Sequence, residues 1–394
     1  MKIVEVLLSL VQGDIAGGVA HREPIGKPLD CFPEFRRGRG IGPATSKPRR
    51  LKQWFLRIET DEGPYGEFGP VPEGVALLVR DQLARYVKGR DPLDIATVHG
   101  MLVRGCAHAR SGLLRHAIGV VDCALWDLRG RALNRPAADW DGKAVRRRVP
   151  VYAQLKGLSQ HPEYLEKELR EVLAEGYRAL KVFLNHGPWD GAAGVEYNRR
   201  VVETVRAIVG PEVRIAVDAW QSWDYEFAAQ MVRALTPLDM AWLEEPLPTD
   251  DFAGYAALRR LGGVPIAAGE HLGNPLEFRN FLSAGCVDIV QPDVVWCGGL
   301  TDFFAIVEVA QSFGVPVYPH VSWLHPTLHA AARVSEGVVP MMEYPFFPDQ
   351  FDAVALLRQV PRAVGGEVEL PDVPGLGMDP DTCRTAVASQ PICA

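Results

Sequence analysis

Arg214-Ile215-Ala216-Val217-Asp218, Met240-Ala241-Trp242-Leu243-Glu244 and Ile266-Ala267-Ala268-Gly269-Glu270 are three short β-forming strings, and each ends in an acid. The acids stand 26 residues apart, room for one strand, one helix and two short loops. The rhythm continues outward. Downstream, Asp293 falls in Ile289–Val294, His320 ends Val315–His320 and Glu343 lies in Pro340–Tyr344, at intervals of 23, 27 and 23. Upstream come Val151–Leu155 and Ala179–Leu184. Amphipathic stretches fill most gaps: Pro162–Glu175, Val195–Val209, Glu226–Leu235, Tyr255–Leu261, Pro275–Ala284 and Leu300–Phe313. Several close on glycine, at Gly176, Gly210 and Gly314. Eight strings alternating with helices predict an α/β fold whose parallel sheet closes as a barrel. An open doubly wound sheet is the alternative, but it usually has fewer strands. Residues at one strand-end register share the C-terminal mouth, where such barrels carry their chemistry.

Helix capping explains a lone Asp at a strand end, but it needs neither Glu nor repetition. Three carboxylates meeting at one point repel unless a cation lies between them. All-oxygen donors suit a hard ion, Mg²⁺ or Mn²⁺, rather than zinc. Asp218, Glu244 and Glu270 are therefore the expected metal ligands. Glu245 follows Glu244, and strand alternation turns it the other way. Asp293 and His320, on neighbouring strands, form an expected carboxylate–imidazole base. His325 and His329 lack an HExxH context and read as structural or loop residues. His271, His186, Lys156, Trp220, Trp296 and Trp323 fall near the mouth, where packing explains them as readily as pocket lining.

The 394 residues suggest two to three structural units, and 47% apolar with 23% charged residues is ordinary globular composition. A net charge of -7 argues against a general nucleic-acid binder. Seven scattered cysteines without a CxxC argue against a disulfide framework and for a reducing compartment. The first ten residues are too polar for a signal peptide, and no apolar stretch approaches the ~18 residues of a membrane span. A cytoplasmic protein without membrane association is expected. Residues 1–70 read as strands and loops and 74–134 as helices, with Leu113–Leu133 ended by Asn134-Arg135-Pro136. The basic segment Arg36 to Arg50 reads as a solvated loop or a flap over an anionic small molecule.

Ala216-Val217-Asp218, Trp242-Leu243-Glu244-Glu245-Pro246, Ala268-Gly269-Glu270-His271, Gln291-Pro292-Asp293-Val294 and Pro319-His320 together resemble the enolase superfamily, mandelate racemase subgroup. The resemblance implies an α+β capping domain (1–135) over a modified TIM barrel, (β/α)7β (150–364). A C-terminal segment (365–394) would return to the cap. It also implies Mg²⁺, with Mn²⁺ as a substitute, and a homo-oligomer. Gly187-Pro188-Trp189-Asp190-Gly191, Asp218-Ala219-Trp220-Gln221-Ser222-Trp223-Asp224 and Asp293-Val294-Val295-Trp296-Cys297-Gly298-Gly299-Leu300-Thr301 are similar to the L-rhamnonate dehydratase group of acid-sugar dehydratases. One departure from the subgroup's racemases matters. Their second strand ends Lys-x-Lys, where this chain has Lys181-Val182-Phe183. Phe183 moves no proton, so one-face β-elimination is favoured over inversion.

The implied reaction is dehydration of a small sugar acid to a 2-keto-3-deoxy acid. His320 would take the C2 proton and the C3 hydroxyl would leave. Glu343, kept neutral by a dry site, would stabilise the developing charge by donating a hydrogen bond, and Lys181 would pair with the substrate carboxylate. His21 and Arg39, with His271 and Trp220, are expected to contact the substrate. The alternatives are a racemase or epimerase using Lys156 as second base, and a non-catalytic homologue.

Overall fold

The computed structural model describes residues 1–394 except 16–18, 21–24, 37–43, 46, 144–145, 161, 347–351, 383–384 and 392–394. His21 and Arg39 therefore lie outside the described residues. The chain opens with β1 (Ile3–Ile15), β2 (Arg49–Thr60) and β3 (Tyr65–Val71), paired antiparallel in that order. Val6, Leu8 and Val11 of β1 are buried, as are Phe55, Leu56 and Ile58 of β2. The strand Thr385–Pro391 pairs with the free side of β1 and completes a four-stranded sheet.

Short helices over Glu73–Leu78 and Ala84–Val87 follow, and then two longer ones, α1 (Ile95–Gly105) and α2 (Gly112–Ala132). α2 is buried nearly all round, and its buried Arg115, Asp122 and Asp127 are each paired. Glycines admit it on both flanks. A Cβ on Gly66 would lie 2.0 Å from the Ala124 carbonyl oxygen, and one on Gly119 would lie 2.0 Å from that of Val295. The first glycine lets β3 approach the helix, and the second lets the helix approach the loop after β9. Asp127 of α2 accepts the Glu67 N–H (2.8 Å) and the Leu376 N–H (2.6 Å). One carboxylate thus ties the N-terminal sheet to the C-terminal segment.

The second sheet is parallel around the barrel and carries an antiparallel extension, in which Glu367–Glu369 pairs with the start of the strand Arg148–Leu155 and with Ala363–Val364, so the C-terminal segment touches the barrel before it returns to the N-terminal sheet. Its strands are β4 (Arg148–Leu155), β5 (Ala179–Phe183), β6 (Arg214–Asp218), β7 (Trp242–Glu244), β8 (Ile266–Ala268), β9 (Ile289–Val290) and β10 (Met342–Pro345). Each is hydrogen-bonded to its predecessor as far as β9, and β10 pairs back to β4 and closes the ring. The intervening helices are α3 (Pro162–Ala174), α4 (Gly191–Val209), α5 (Tyr225–Leu235), α6 (Phe252–Leu261), α7 (Pro275–Ser283), α8 (Leu300–Ser312) and α9 (Leu324–Ala332). This is the enolase-like arrangement, a barrel-type domain with an N-terminal sheet and helices against it. The seventh string, Val315–His320, is not a full strand. It joins through the bridges Val290–Val317 and Asp293–His320, because Pro292, Pro316 and Pro319 lack the N–H groups a ladder needs.

The lumen is filled from below. Tyr152, Trp242 and Tyr318 alternate with Ala179, Ala216, Ala267 and Ile289. Large rings opposite small residues fill the taper, with the Trp242 ring 5.0 Å from Tyr152 and 5.3 Å from Tyr318. Strand alternation then places the next inward layer, Lys181, Asp218, Glu244 and Glu343, above this apolar plug.

Candidate active site

Lys181 is fully buried yet charged, with its Nζ 3.0 Å from Asp218 Oδ2, 2.7 Å from Glu343 Oε1 and in contact with Glu244 Oε1. Burial alone would lower its pKa, but Glu244, Glu343 and Asp218 together raise it well above the ordinary lysine value. The second oxygen of Glu244 accepts from Trp242 Nε1 (2.9 Å) and Gln291 Nε2 (2.7 Å). Asp218 Oδ1 accepts the Trp220 N–H at 2.8 Å.

Glu270 lies one residue beyond Gly269 (φ 135°), whose backbone few side chains tolerate. Glu245, Glu270 and His271 bring one donor atom each within 4.8 Å of one another. Glu245 accepts from His271 Nδ1 (2.9 Å) and Gln221 Nε2 (3.2 Å). Asp218 and Glu244 are drawn toward Lys181 beside this group. Trp220 (φ 44°), Gln221 (φ 59°) and Glu245 (φ 39°) hold positive φ without being glycine, strain that gathers where geometry serves a site.

The acids outnumber their cations. Burial, joined by Glu244, Glu270 and Glu245, drives the Asp218 carboxyl well above its usual value against the pull of Lys181. Burial likewise pushes Glu270 to about 7, opposed by His320 and assisted by Glu245. A buried cluster of hard oxygen donors short of positive charge fits a divalent cation of the magnesium type.

His320 stands at one flank. Its Nδ1 is 3.0 Å from Asp293 Oδ2, and its Nε2 faces Glu270 Oε2 (3.5 Å) and Glu343 Oε2 (3.6 Å). Asp293 is aimed by the N–H groups of Val295 (3.0 Å), Trp296 (2.9 Å) and Ser322 (2.9 Å). Despite burial, the His320 interaction and these N–H groups hold Asp293 below the usual carboxylate range. Burial would depress His320, but Glu270, Glu343 and Asp293 lift it to about 10.

The expectation that Glu343 is neutral needs correcting. Burial favours the proton, but Lys181 and His320 outweigh it and hold Glu343 below its ordinary value. It accepts the Val321 N–H at 3.0 Å. Phe183 packs its ring 5.3 Å from Lys181 Nζ, beside Asp218 in register.

Lys156 lies over the Trp220 ring at 5.1 Å. His271 is 35% exposed at the rim. His186 is turned to Asn185 Oδ1 (2.6 Å), and Trp323 Nε1 donates to the Pro70 carbonyl (2.8 Å). His325 and His329 are buried within α9. Two residues at the site escaped the sequence reading. Gln291, two positions before Asp293, shares its inward face and was findable by alternation. His116 comes from α2 and stacks on Trp296 at 5.5 Å, and no pattern in the sequence announced that docking.

Residues 46–142 match the N-terminal domain of the mandelate racemase and muconate lactonizing enzyme family, and residues 164–384 match the enolase C-terminal domain-like family. L-rhamnonate dehydratase of Saccharopolyspora erythraea is 32% identical over 90% of this chain and 88% of its own length. The crystal structure of L-rhamnonate dehydratase from Gibberella zeae superposes with a TM-score of 0.81 and 26% identity, covering 97% of this chain and 94% of that one. A racemase from Streptomyces coelicolor A3(2) with bound magnesium gives 0.77 and 26%, covering 97% and 98%.

Proposed function

Since the chain belongs to the enolase superfamily, in the mandelate racemase and muconate lactonizing enzyme family, we propose that it is a hydro-lyase that dehydrates a sugar acid to its 2-keto-3-deoxy acid. The observation that carries this reading is the one-sidedness of the site. His320, backed by Asp293, meets the acid cluster from one flank, and Phe183 occupies the strand end where a second base would stand. Racemisation needs proton carriers on both faces of the carbanion, and elimination needs one.

Asp218, Glu244 and Glu270 would hold Mg²⁺, for which Mn²⁺ could substitute, with Glu245 beside Glu270. When bound, the cation supplies charge stabilisation to the enediolate formed from the substrate carboxylate. Lys181 supplies fixed positive charge under that carboxylate. With a cation held at Glu270, the main charge that lifts His320 would be offset, leaving its Nε2 free to remove the C2 proton, with Asp293 stabilising the resulting imidazolium. The electron pair moves into the C2–C3 bond and the C3–O bond breaks. His320 returns its proton to the departing hydroxyl, which leaves as water, and the enol becomes the 2-keto acid. Glu343 lies within reach of the same region and steadies the charged His320. Trp220 and His271 line the rim as substrate contacts.

His320→Asn should lower turnover by about 10²–10⁴-fold while magnesium binding is retained. The assay is a library of C5 and C6 acid sugars scored for 2-keto-3-deoxy products, and full activity in the variant would remove His320 from its role. The Lys156–Trp220 contact favours one second reading, an epimerase with Lys156 as the opposing base. Deuterium entering recovered substrate in both configurations, with no keto-deoxy product, would decide for it.

A further inference from the structure

Trp296, on the loop after β9, meets three imidazoles. His116 stacks on it at 5.5 Å with 14° between planes. His320 lies at 5.2 Å and 36°, and His271 at 5.6 Å and 39°. Only one of the three, His116, comes from outside the barrel, on α2. Its neighbour Arg115 donates Nε to the Cys297 carbonyl at 3.0 Å, so α2 grips this loop at two adjacent residues.

The contact matters for what holds His320. A hydrogen bond from Nδ1 to Asp293 fixes one edge of the imidazole but permits the ring to rock about that bond. A plane lying against the ring limits the rocking. The indole of Trp296, 5.2 Å away and tilted 36°, supplies that surface, and it is itself partly exposed. It keeps its own tilt through the nearly parallel ring of His116.

We propose that His116 is a positioning residue: stacked on Trp296, it keeps the indole against His320, so that a helix of the N-terminal region sets the plane in which Nε2 faces the substrate. This deepens the dehydratase reading and rests on its assignment of His320 as the base. Burial lowers the pKa of His116, with Asp293 opposing and His271 assisting, so it stacks as a neutral ring. An aromatic pair is a weak contact, but a misplacement of about 1 Å at the reacting atom costs on the order of 10²-fold in rate.

The test compares His116→Ala with His116→Phe, in crystals and in steady-state kinetics with the acid sugar that wild type consumes. Crystals of the alanine variant should show Trp296 tilted and the His320 ring in more than one orientation. Its kcat should fall about 10–100-fold while KM changes less than about threefold. The phenylalanine variant restores a flat ring without nitrogens and should recover both the geometry and most of kcat. Undisturbed Trp296 and His320 rings in the alanine variant would overturn the proposal. So would a phenylalanine variant that restacks but stays as slow as alanine, since His116 would then act through its nitrogens. If alanine does not fold, His116→Leu keeps the volume without the plane. Should wild type turn over no acid sugar, the dehydratase reading falls, and the crystallographic comparison still decides the positioning role.

Discussion

Lys181 holds three carboxylates together from beneath, and its removal should be felt twice. Lys181→Met deprives Asp218, Glu244 and Glu343 of the buried cation they share and leaves them with hydrogen bonds and His320 alone. Loss of one member of such a cluster costs about 3–5 kcal/mol. The variant should melt well below wild type in chelator, and added Mg²⁺ should raise its melting temperature more than it raises that of wild type. Equal melting points in chelator would mean that Lys181 is not what neutralises the acids. The 26-residue spacing made Asp218, Glu244 and Glu270 legible in the sequence, because strand alternation and strand ends obey fixed periods. The swing of Glu245 toward His271 was not legible, since a positive φ just past the strand redirects the side chain. His116 lay beyond sequence reading because its role exists only after two distant segments dock.

Strands and helices near the mouth show where local pattern gave way to hydrogen-bonding chemistry. The strings at Ile289–Val294 and Val315–His320 had β-forming residues, yet prolines reduced them to a two-residue strand and isolated bridges. α9 was absent from the reading because Pro326 sits in its first turn, where proline is tolerated but weakens the pattern. The loop Trp296–Thr301 is held from the side by α1 and α2. Arg115 binds Asp302 and the Cys297 carbonyl, His99 Nε2 lies 3.0 Å from Asp302, and Asp122 accepts the Thr301 hydroxyl at 2.6 Å. Arg115→Met leaves Asp302 buried beside His99 alone. Urea unfolding should record a loss of about 3–5 kcal/mol. A loss under about 1 kcal/mol would show that the loop stands without this clamp.

Acid sensitivity belongs to the whole molecule. Burial depresses His325 to about 4 and His329 to about 3, while an unfolded imidazole titrates near 6.5. Between those values the unfolded chain binds more protons than the folded one, so stability is complete above pH 6.5 and falls as the pH drops. Each histidine contributes about 1.4 kcal/mol per pH unit across its window. His329→Leu should flatten the urea-midpoint profile between pH 6 and 4, and an unchanged slope would remove His329 from the account. The barrel and its rim were readable at this scale from one repeated interval. How the N-terminal sheet is completed came only from the family resemblance, which sends the C-terminal segment back to the cap, because pairing between remote strands leaves no local mark. That pairing has a price during synthesis. β1 is synthesised well before the strand that covers its Leu7–Gly13 edge, which is made only after the entire barrel. Through that interval the nascent chain carries a bare, apolar template for misassembly, so chaperone dependence should concentrate on this edge rather than on the barrel.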